Sequence, residues 1–188
     1  MSCSAIPSPT GKPARPGSAT GDFTGSGMPG TSSPWGGVYR WADAPPADDD
    51  LVEIAERVPR ATLCLETALV RHGLIDAIPA AIDIAVPRGS TRPTLRAPCR
   101  LHQFDARTFD LERELVDVGA RRPLGLYTAE RSIIDAIRLR HREGSDLAWQ
   151  ALRRLLDQPG ASPARLIELA QRFPHAEPAL RQALAVLL

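Results

Sequence analysis

The spacing of apolar residues predicts helices and strands in a definite order along the chain. Apolar positions three or four residues apart predict helices over 51–58, 61–73, 128–139, 146–156, 163–173 and 179–188. Alternating or short apolar runs predict strands over 82–87, 100–104, 114–118 and 125–127. Because helices come before and after the group of strands, we expect an α+β fold. Its small mixed sheet is flanked by helices, and its C-terminal third is helical.

Several predicted helices carry signals at their ends. The acidic residues Asp48 to Asp50 precede the first helix, where they can cap it and favour its dipole. Gly73 suits the position just after the second helix, which favours a positive φ angle. Thr128 is a predicted N-cap, and Pro163 fits the first turn of another helix.

The amino-acid composition of the chain changes twice near its N-terminus. Residues 1–34 are dominated by Gly, Pro, Ser and Thr and lack a repeating apolar position, which predicts a disordered tail. Residues 35–46 hold a short β-like run that Pro45 and Pro46 end. Residues 47–188 carry the predicted helices and strands and form the expected folded domain.

Composition places the chain among globular proteins of the cytoplasm. No apolar run approaches the roughly 20 residues of a membrane span, and no charged head followed by an apolar stretch indicates secretion. The 3 cysteines are widely spaced and odd in number, which argues against a disulfide framework, and no ligand spacing predicts zinc. We therefore expect neither a metal nor a cofactor.

Enzymatic chemistry is not predicted. A nuclease centre needs carboxylates, which Asp83 and Asp117 supply, and usually a lysine, but the only lysine is Lys12 in the predicted tail. The sequence has no phosphate-binding glycine loop. The four histidines are far apart, and no local pattern joins one to a nucleophile. We expect a protein that is not an enzyme and has no small-molecule substrate; a nuclease-like enzyme is the weakest alternative.

Arginine is the predicted binding residue. The net charge is only +1, yet all basic residues except Lys12 are arginine. One group recurs every four residues around proline-interrupted turns, and a pair follows it, so the candidate binding residues are Arg88, Arg92, Arg96, Arg100, Arg121 and Arg122. Guanidinium groups can bind phosphates or an acidic protein face, but a solvated loop has the same composition. The cations at 138–142 fit a helix C-terminus, where the helix dipole alone favours them.

Four stretches, taken in order, resemble the AbiEi antitoxin family of type IV toxin–antitoxin systems. They are GVYR at 37–40, CLETALVRHGL at 64–74, IPAAIDIAVPRG at 78–89 and LYTAERSIID at 126–135. The second resembles a family helix that ends in an HGL turn, and the third resembles a strand followed by a PRG loop. The fourth resembles the start of a family helix. The resemblance extends over residues 38–156.

The resemblance implies an antitoxin that represses its own operon and counters a nucleotidyltransferase-type toxin. Family members usually join an N-terminal winged helix, which binds DNA, to a C-terminal antitoxin domain. Residues 35–46 resemble the end of the wing, and 47–188 the antitoxin domain. Residues 1–34 offer no recognition helix for a DNA groove, so we expect weakened operator binding. The alternative is a DNA-binding regulator whose true start lies upstream.

Overall fold

The structure is a computed structural model that describes residues 48–187. The predictions made for residues 1–34 and 35–46 lie outside this part of the chain. The described elements, in chain order, are α1 (Asp49–Arg57), β1 (Thr62–Leu63), α2 (Leu65–Arg71), β2 (Ile82–Pro87), β3 (Cys99–Phe104), α3 (Ala106–Phe109), β4 (Arg113–Val116), β5 (Leu124–Tyr127), α4 (Ala129–Arg138), α5 (Arg140–Glu143), α6 (Asp146–Leu156), α7 (Pro163–Ala170) and α8 (Ala176–Leu187). The α+β prediction is confirmed, including the helical C-terminal third.

The five described strands form one mixed sheet in the order β3-β2-β1-β5-β4. The pairs β2–β3 and β1–β5 are parallel, whereas β1–β2 and β4–β5 are antiparallel. The two-residue strand β1 lies at the centre, where Thr62 pairs with Ala85 on one side and Gly125 on the other. This short strand therefore joins the two halves of the sheet.

The predicted helix over 61–73 is wrong in its first half, because Thr62 and Leu63 belong to β1. Both residues are completely buried and hydrogen-bond into strands on either side, so sheet pairing outweighs the helical spacing of the apolar residues. The helix α2 starts only after Cys64. It ends at Arg71, and Gly73 follows the C-cap residue as predicted, with a φ of 66°. The Leu74 N–H donates to the Leu69 carbonyl, which completes a Schellman motif.

Other element ends agree with the sequence signals. The Asp48 carboxylate caps α1, and the Thr128 hydroxyl accepts from the Arg131 N–H at the start of α4. Pro163 occupies the first turn of α7. The predicted helix over 163–173 stops earlier, at Ala170, and the last helix starts earlier than 179, at Ala176. The short helices α3 and α5 were not predicted as separate elements.

Three apolar clusters among the described residues hold the elements in place, and two of them are large. The larger lies among α2, α4 and the C-terminal helices and includes Ile133, Ile134 and Leu152. The second lies between α1 and the sheet and includes Ile54 and Leu63. Each such fully buried side chain contributes about 1.5–3 kcal/mol of transfer free energy. Within residues 48–187, no helix is long and apolar enough to cross a membrane.

Candidate functional site: an arginine-lined cleft

The six predicted arginines do not form one site. Arg88 directly follows β2, whereas Arg100 pairs in register with Asp83 near the opposite end of the parallel strands β2 and β3. Five residues separate Asp83 from Arg88, which is about 16 Å along a strand. Arg92 and Arg96 lie on the exposed loop between these strands, and Arg121–Arg122 lie in an exposed turn before β5.

Arg100 is engaged in an ion-pair network with buried acid. Its Nε lies 2.9 Å from Asp83 Oδ1, and its Nη2 lies 2.7 Å from Glu66 Oε2. Asp83 is 1% exposed and also accepts a hydrogen bond from His102 Nε2 at 2.9 Å. Arg100 therefore neutralises a buried carboxylate, which is a structural task.

Two glutamates of α1 contact two of the remaining predicted arginines, Arg96 and Arg121. The Glu53 carboxylate accepts from the backbone N–H groups of Arg96 and Ala97 at 3.0 and 2.9 Å. Glu56 accepts from the Arg121 backbone N–H at 2.7 Å, and its carboxylate lies 3.3 Å from the Arg121 guanidinium. The loop of Arg96 and the turn of Arg121 thus flank α1, apart from Arg88.

The two carboxylates of the nuclease alternative are far apart. Asp83 lies on β2, and Asp117 follows β4 at the far edge of the sheet, three strand positions away. At strand spacing this is about 14 Å, too far for both to bind one metal ion. Among residues 48–187, no group of three or more His, Cys, Asp or Glu side chains could hold a metal ion.

Arg88 instead lies in a cleft of about 1050 Å³, the arginine cleft, which segments distant in sequence form together. The end of β3, α3, the α4–α5 junction and the turn after α7 all contribute to it. Its lining residues are Arg88, Leu101, His102, Gln103, Phe104, Asp105, Arg107, Thr108, Leu111, Arg138, Leu139, Arg142, Gln171, Arg172, Phe173 and Pro174. Five are arginines and one is an acid, so the cleft is strongly cationic.

The only carboxylate in the lining is largely engaged already. Asp105 Oδ2 lies 3.3 Å from Arg107 Nη2, and its Oδ1 accepts from the Arg107 backbone N–H. The hydrogen bond from the Arg107 guanidinium holds the pKa of Asp105 below its usual range, and the charge of Arg88 acts in the same direction. Among the described side chains of residues 48–142 and 144–187, no carboxylate lies at ion-pair distance from Arg88, Arg142 or Arg172.

Arg138 is held in the cleft by the buried carboxylate of Asp135, which it shares with Arg131. Its Nη2 donates to Asp135 Oδ1 at 2.7 Å, while Asp135 Oδ2 accepts from Arg131 Nε at 2.7 Å. Two guanidinium groups thus share one negative charge, and the set keeps a net positive charge. Arg138 Nε is buried without a hydrogen-bond acceptor in the described part of the chain.

Arg131 lies beneath this set and is completely buried. Its Nη1 donates to the carbonyls of Thr108 and Leu111 at 2.8 and 3.1 Å. The guanidinium carbon lies 4.4 Å from the Tyr127 ring centroid and 4.1 Å from that of Phe173. These contacts join α3, β5, α4 and the turn after α7, so Arg131 fixes the elements that line the cleft.

Sequence reasoning found Arg88 but missed Arg107, Arg138, Arg142 and Arg172. A signal existed for two of them, because Arg138 and Arg142 belong to the cationic group assigned to the helix dipole. The other two are single arginines, Arg107 in the short helix α3 and Arg172 in the turn after α7, and only the tertiary fold brings them to the cleft.

The chain was compared with known proteins at the level of sequence. No protein-family model matches it, and no curated protein matches it.

Proposed function

We propose that this protein is an AbiEi-like antitoxin and transcriptional regulator, which acts in the cytoplasm by binding and counters a nucleotidyltransferase-type toxin. One observation carries the proposal: of the stretches that resemble the family, one contributes a lining residue of the arginine cleft and another holds a second lining residue in place. The stretch 78–89 contains Arg88, which lines the cleft. The stretch 126–135 supplies Arg131 and Asp135, which hold Arg138 in the cleft.

The stretch 64–74 directly contacts the stretch 126–135. The ring Nε2 of His72, in the HGL turn of 64–74, lies 2.7 Å from the Tyr127 carbonyl oxygen. The Arg88 backbone N–H, at the PRG turn, donates to the Phe104 carbonyl beside the cleft. Three short matches that are individually weak thus meet in one packed structure. This supports reading them as parts of one domain.

The chemistry of the cleft favours a partner with acidic or phosphate groups. Guanidinium groups form short, often bidentate hydrogen bonds with carboxylate and phosphate oxygens. Arg88, Arg142 and Arg172 are exposed and form no ion pair with a described side chain of 48–142 or 144–187. A binding role needs such available donors, and the cleft provides several of them in one place.

Co-expression tests the antitoxin proposal. The full chain is expressed together with the nucleotidyltransferase-type protein encoded beside its gene, and growth is compared with expression of that protein alone. We expect the chain to relieve growth arrest. The absence of such a neighbouring gene, or growth arrest that the chain leaves unchanged, would contradict the proposal.

Operator contact is the second function of this proposal, and exposed arginines in two segments that contact α1 favour it. Arg92 and Arg96 lie in the loop that Glu53 contacts, Arg122 lies in the turn that Glu56 contacts, and all three are exposed. Fluorescence anisotropy with the full chain and a duplex from its own upstream region measures this contact at several salt concentrations. We expect weak binding that falls steeply with salt, since phosphate contacts release counterions. Tight binding from which an excess of scrambled duplex does not displace the upstream duplex would instead indicate sequence-specific operator recognition.

A further inference from the structure

We propose that the arginine cleft is a binding site for an oligophosphate chain, such as pyrophosphate, tripolyphosphate or the phosphates of a nucleoside triphosphate. This inference rests on the proposed function and deepens it, because it names a ligand class for the same site. The ligand would make the regulator responsive to a small phosphorylated molecule.

The charge of the cleft exceeds what its own acids neutralise. Five arginines line it against Asp105, and Asp135 behind Arg138 is shared with Arg131. One carboxylate or orthophosphate ion can engage one or two guanidinium groups bidentately. Several guanidinium groups distributed around one cleft instead match a ligand with several linked anionic groups.

One of these arginines also has a hydrogen-bond donor that lacks an acceptor. Arg138 is three-quarters buried, at 24% side-chain exposure, and its Nε has no acceptor among the described residues. A buried donor without an acceptor costs about 1–3 kcal/mol. Because Nε itself is shielded, a phosphate in the cleft would balance the charge of this guanidinium group and would not accept from Nε directly.

The size of the cleft fits a small ligand. Its volume of about 1050 Å³ is close to the upper end for sites that hold drug-sized molecules, roughly 300–1,000 Å³. Gln103 and Gln171 lie in the same lining, and their amide NH2 groups can donate to further phosphate oxygens. Duplex DNA, by contrast, is recognised along an extended backbone and does not need an enclosed volume.

The aromatic residues of the cleft indicate that phosphates, and not a base, carry recognition. Phe104 is stacked on Tyr127 with ring centroids 5.9 Å apart, and Arg131 lies over the Phe173 ring. Both phenylalanines are buried, at 5% and 3% exposure. Because their faces are already covered, they offer little surface for stacking a nucleobase. We therefore expect tripolyphosphate and different nucleoside triphosphates to bind with similar affinity.

Isothermal titration calorimetry with the full chain tests the inference, with tripolyphosphate, ATP, GTP and orthophosphate as probes at constant ionic strength. We expect one saturable site for tripolyphosphate, ATP and GTP, and at least tenfold weaker binding of orthophosphate. The double variant Arg142→Gln/Arg172→Gln, which changes two exposed arginines of the cleft, should weaken tripolyphosphate binding at least tenfold. The matched control Arg71→Gln/Arg153→Gln removes the same charge from exposed helix positions outside the cleft lining. It should change the affinity less than twofold.

Three results would overturn the inference. The first is no saturable binding of tripolyphosphate, and the second is equal weakening by both double variants, which would mean non-specific attraction. The third is a 20-base-pair duplex that binds more tightly than tripolyphosphate and depends on Arg142 and Arg172, which would assign the cleft to nucleic acid. Growth rescue without tripolyphosphate binding would reject this inference and leave the antitoxin proposal intact. Tripolyphosphate binding without growth rescue would support this inference and contradict the antitoxin proposal.

Discussion

Replacing the buried Arg131 should be among the most destabilising single changes in this protein. In Arg131→Met, the Asp135 carboxylate loses its 2.7 Å partner, and two backbone carbonyls of the α3 region lose their donor. Removing one member of a buried ion pair costs about 3–5 kcal/mol. Asp135 keeps its hydrogen bond from Arg138. The cost of removing the Arg131–Asp135 ion pair should therefore be near the lower end of this range, about 3 kcal/mol.

The aromatic contacts increase this cost. The guanidinium lies between the rings of Tyr127 and Phe173, and desolvated cation–π contacts contribute about 1–2 kcal/mol. The methionine side chain recovers part of this packing, since it is apolar and flexible. We therefore expect the free energy of unfolding to fall by about 4 kcal/mol, which is a large part of the stability of an ordinary domain.

Urea unfolding of the full chain, followed by far-ultraviolet circular dichroism, measures this change. Arg181→Met is the matched control, because Arg181 also pairs with an acid four residues away, Glu177, but is 56% exposed. Exposed pairs of this kind contribute about 0.3–0.5 kcal/mol. A loss below about 1 kcal/mol for Arg131→Met, or a loss equal to that of the control, would refute the reasoning from burial.

Three further changes test other parts of the fold. Gly125→Ala should cost about 3 kcal/mol in urea unfolding, because the added Cβ would lie 2.5 Å from Thr62 Oγ1 in the central pair of strands. Glu53→Ala should cost about 2–3 kcal/mol and accelerate amide hydrogen exchange at 96–97, since its carboxylate accepts both N–H groups. Burial raises the pKa of the Cys99 thiol to about 11, so its alkylation, followed by mass spectrometry, should be slow at pH 8 and accelerate up to pH 11.

Each of these changes has a control or a contradicting result. Gly89 has a φ of 89° and open space around it, so Gly89→Ala should cost only about 1–2 kcal/mol from backbone strain. A larger cost at Gly89 than at Gly125 would contradict the close approach of β1 and β5. Unchanged exchange in Glu53→Ala would mean that α1 does not fix the loop. Alkylation of Cys99 as fast in the folded as in the urea-unfolded chain at pH 8 would show that its thiol is not shielded.

The elements that the sequence predicted well are those whose own residues determine them. The alternation of Ile82 to Pro87 located β2, and Thr128 located the start of α4 through a cap that it makes locally. The strand β1 was not predicted, because two residues are too few to show an alternating apolar pattern. Thr62 and Leu63 form a strand only by pairing with two distant segments. Short apolar runs are ambiguous between helix and strand for this reason.

The candidate site was less predictable than the fold. Regular spacing suggested that Arg88 and Arg100 act together, yet the parallel register of β2 and β3 places them near opposite ends of the strands. Arg100 also has a task that no local pattern reveals, since Asp83 is buried only in the folded sheet. Conversely, Arg107 and Arg172 are far apart in sequence and meet through the packing of α3 beside the turn after α7. A charge pattern along the chain therefore identified the residue type that binds but not the surface.

The arrangement around Asp135 links the stability of the domain to its proposed binding. A pair of buried ions is seldom the most stable solution, because apolar side chains of similar volume often replace it without loss. Here the set contains two guanidinium groups for one carboxylate, which leaves positive charge and an unsatisfied Arg138 Nε beside the cleft. Stability alone does not favour such a set, whereas a site that attracts anions requires it. Because a ligand that binds only the folded state stabilises it, an oligophosphate that meets this charge should also raise the unfolding temperature.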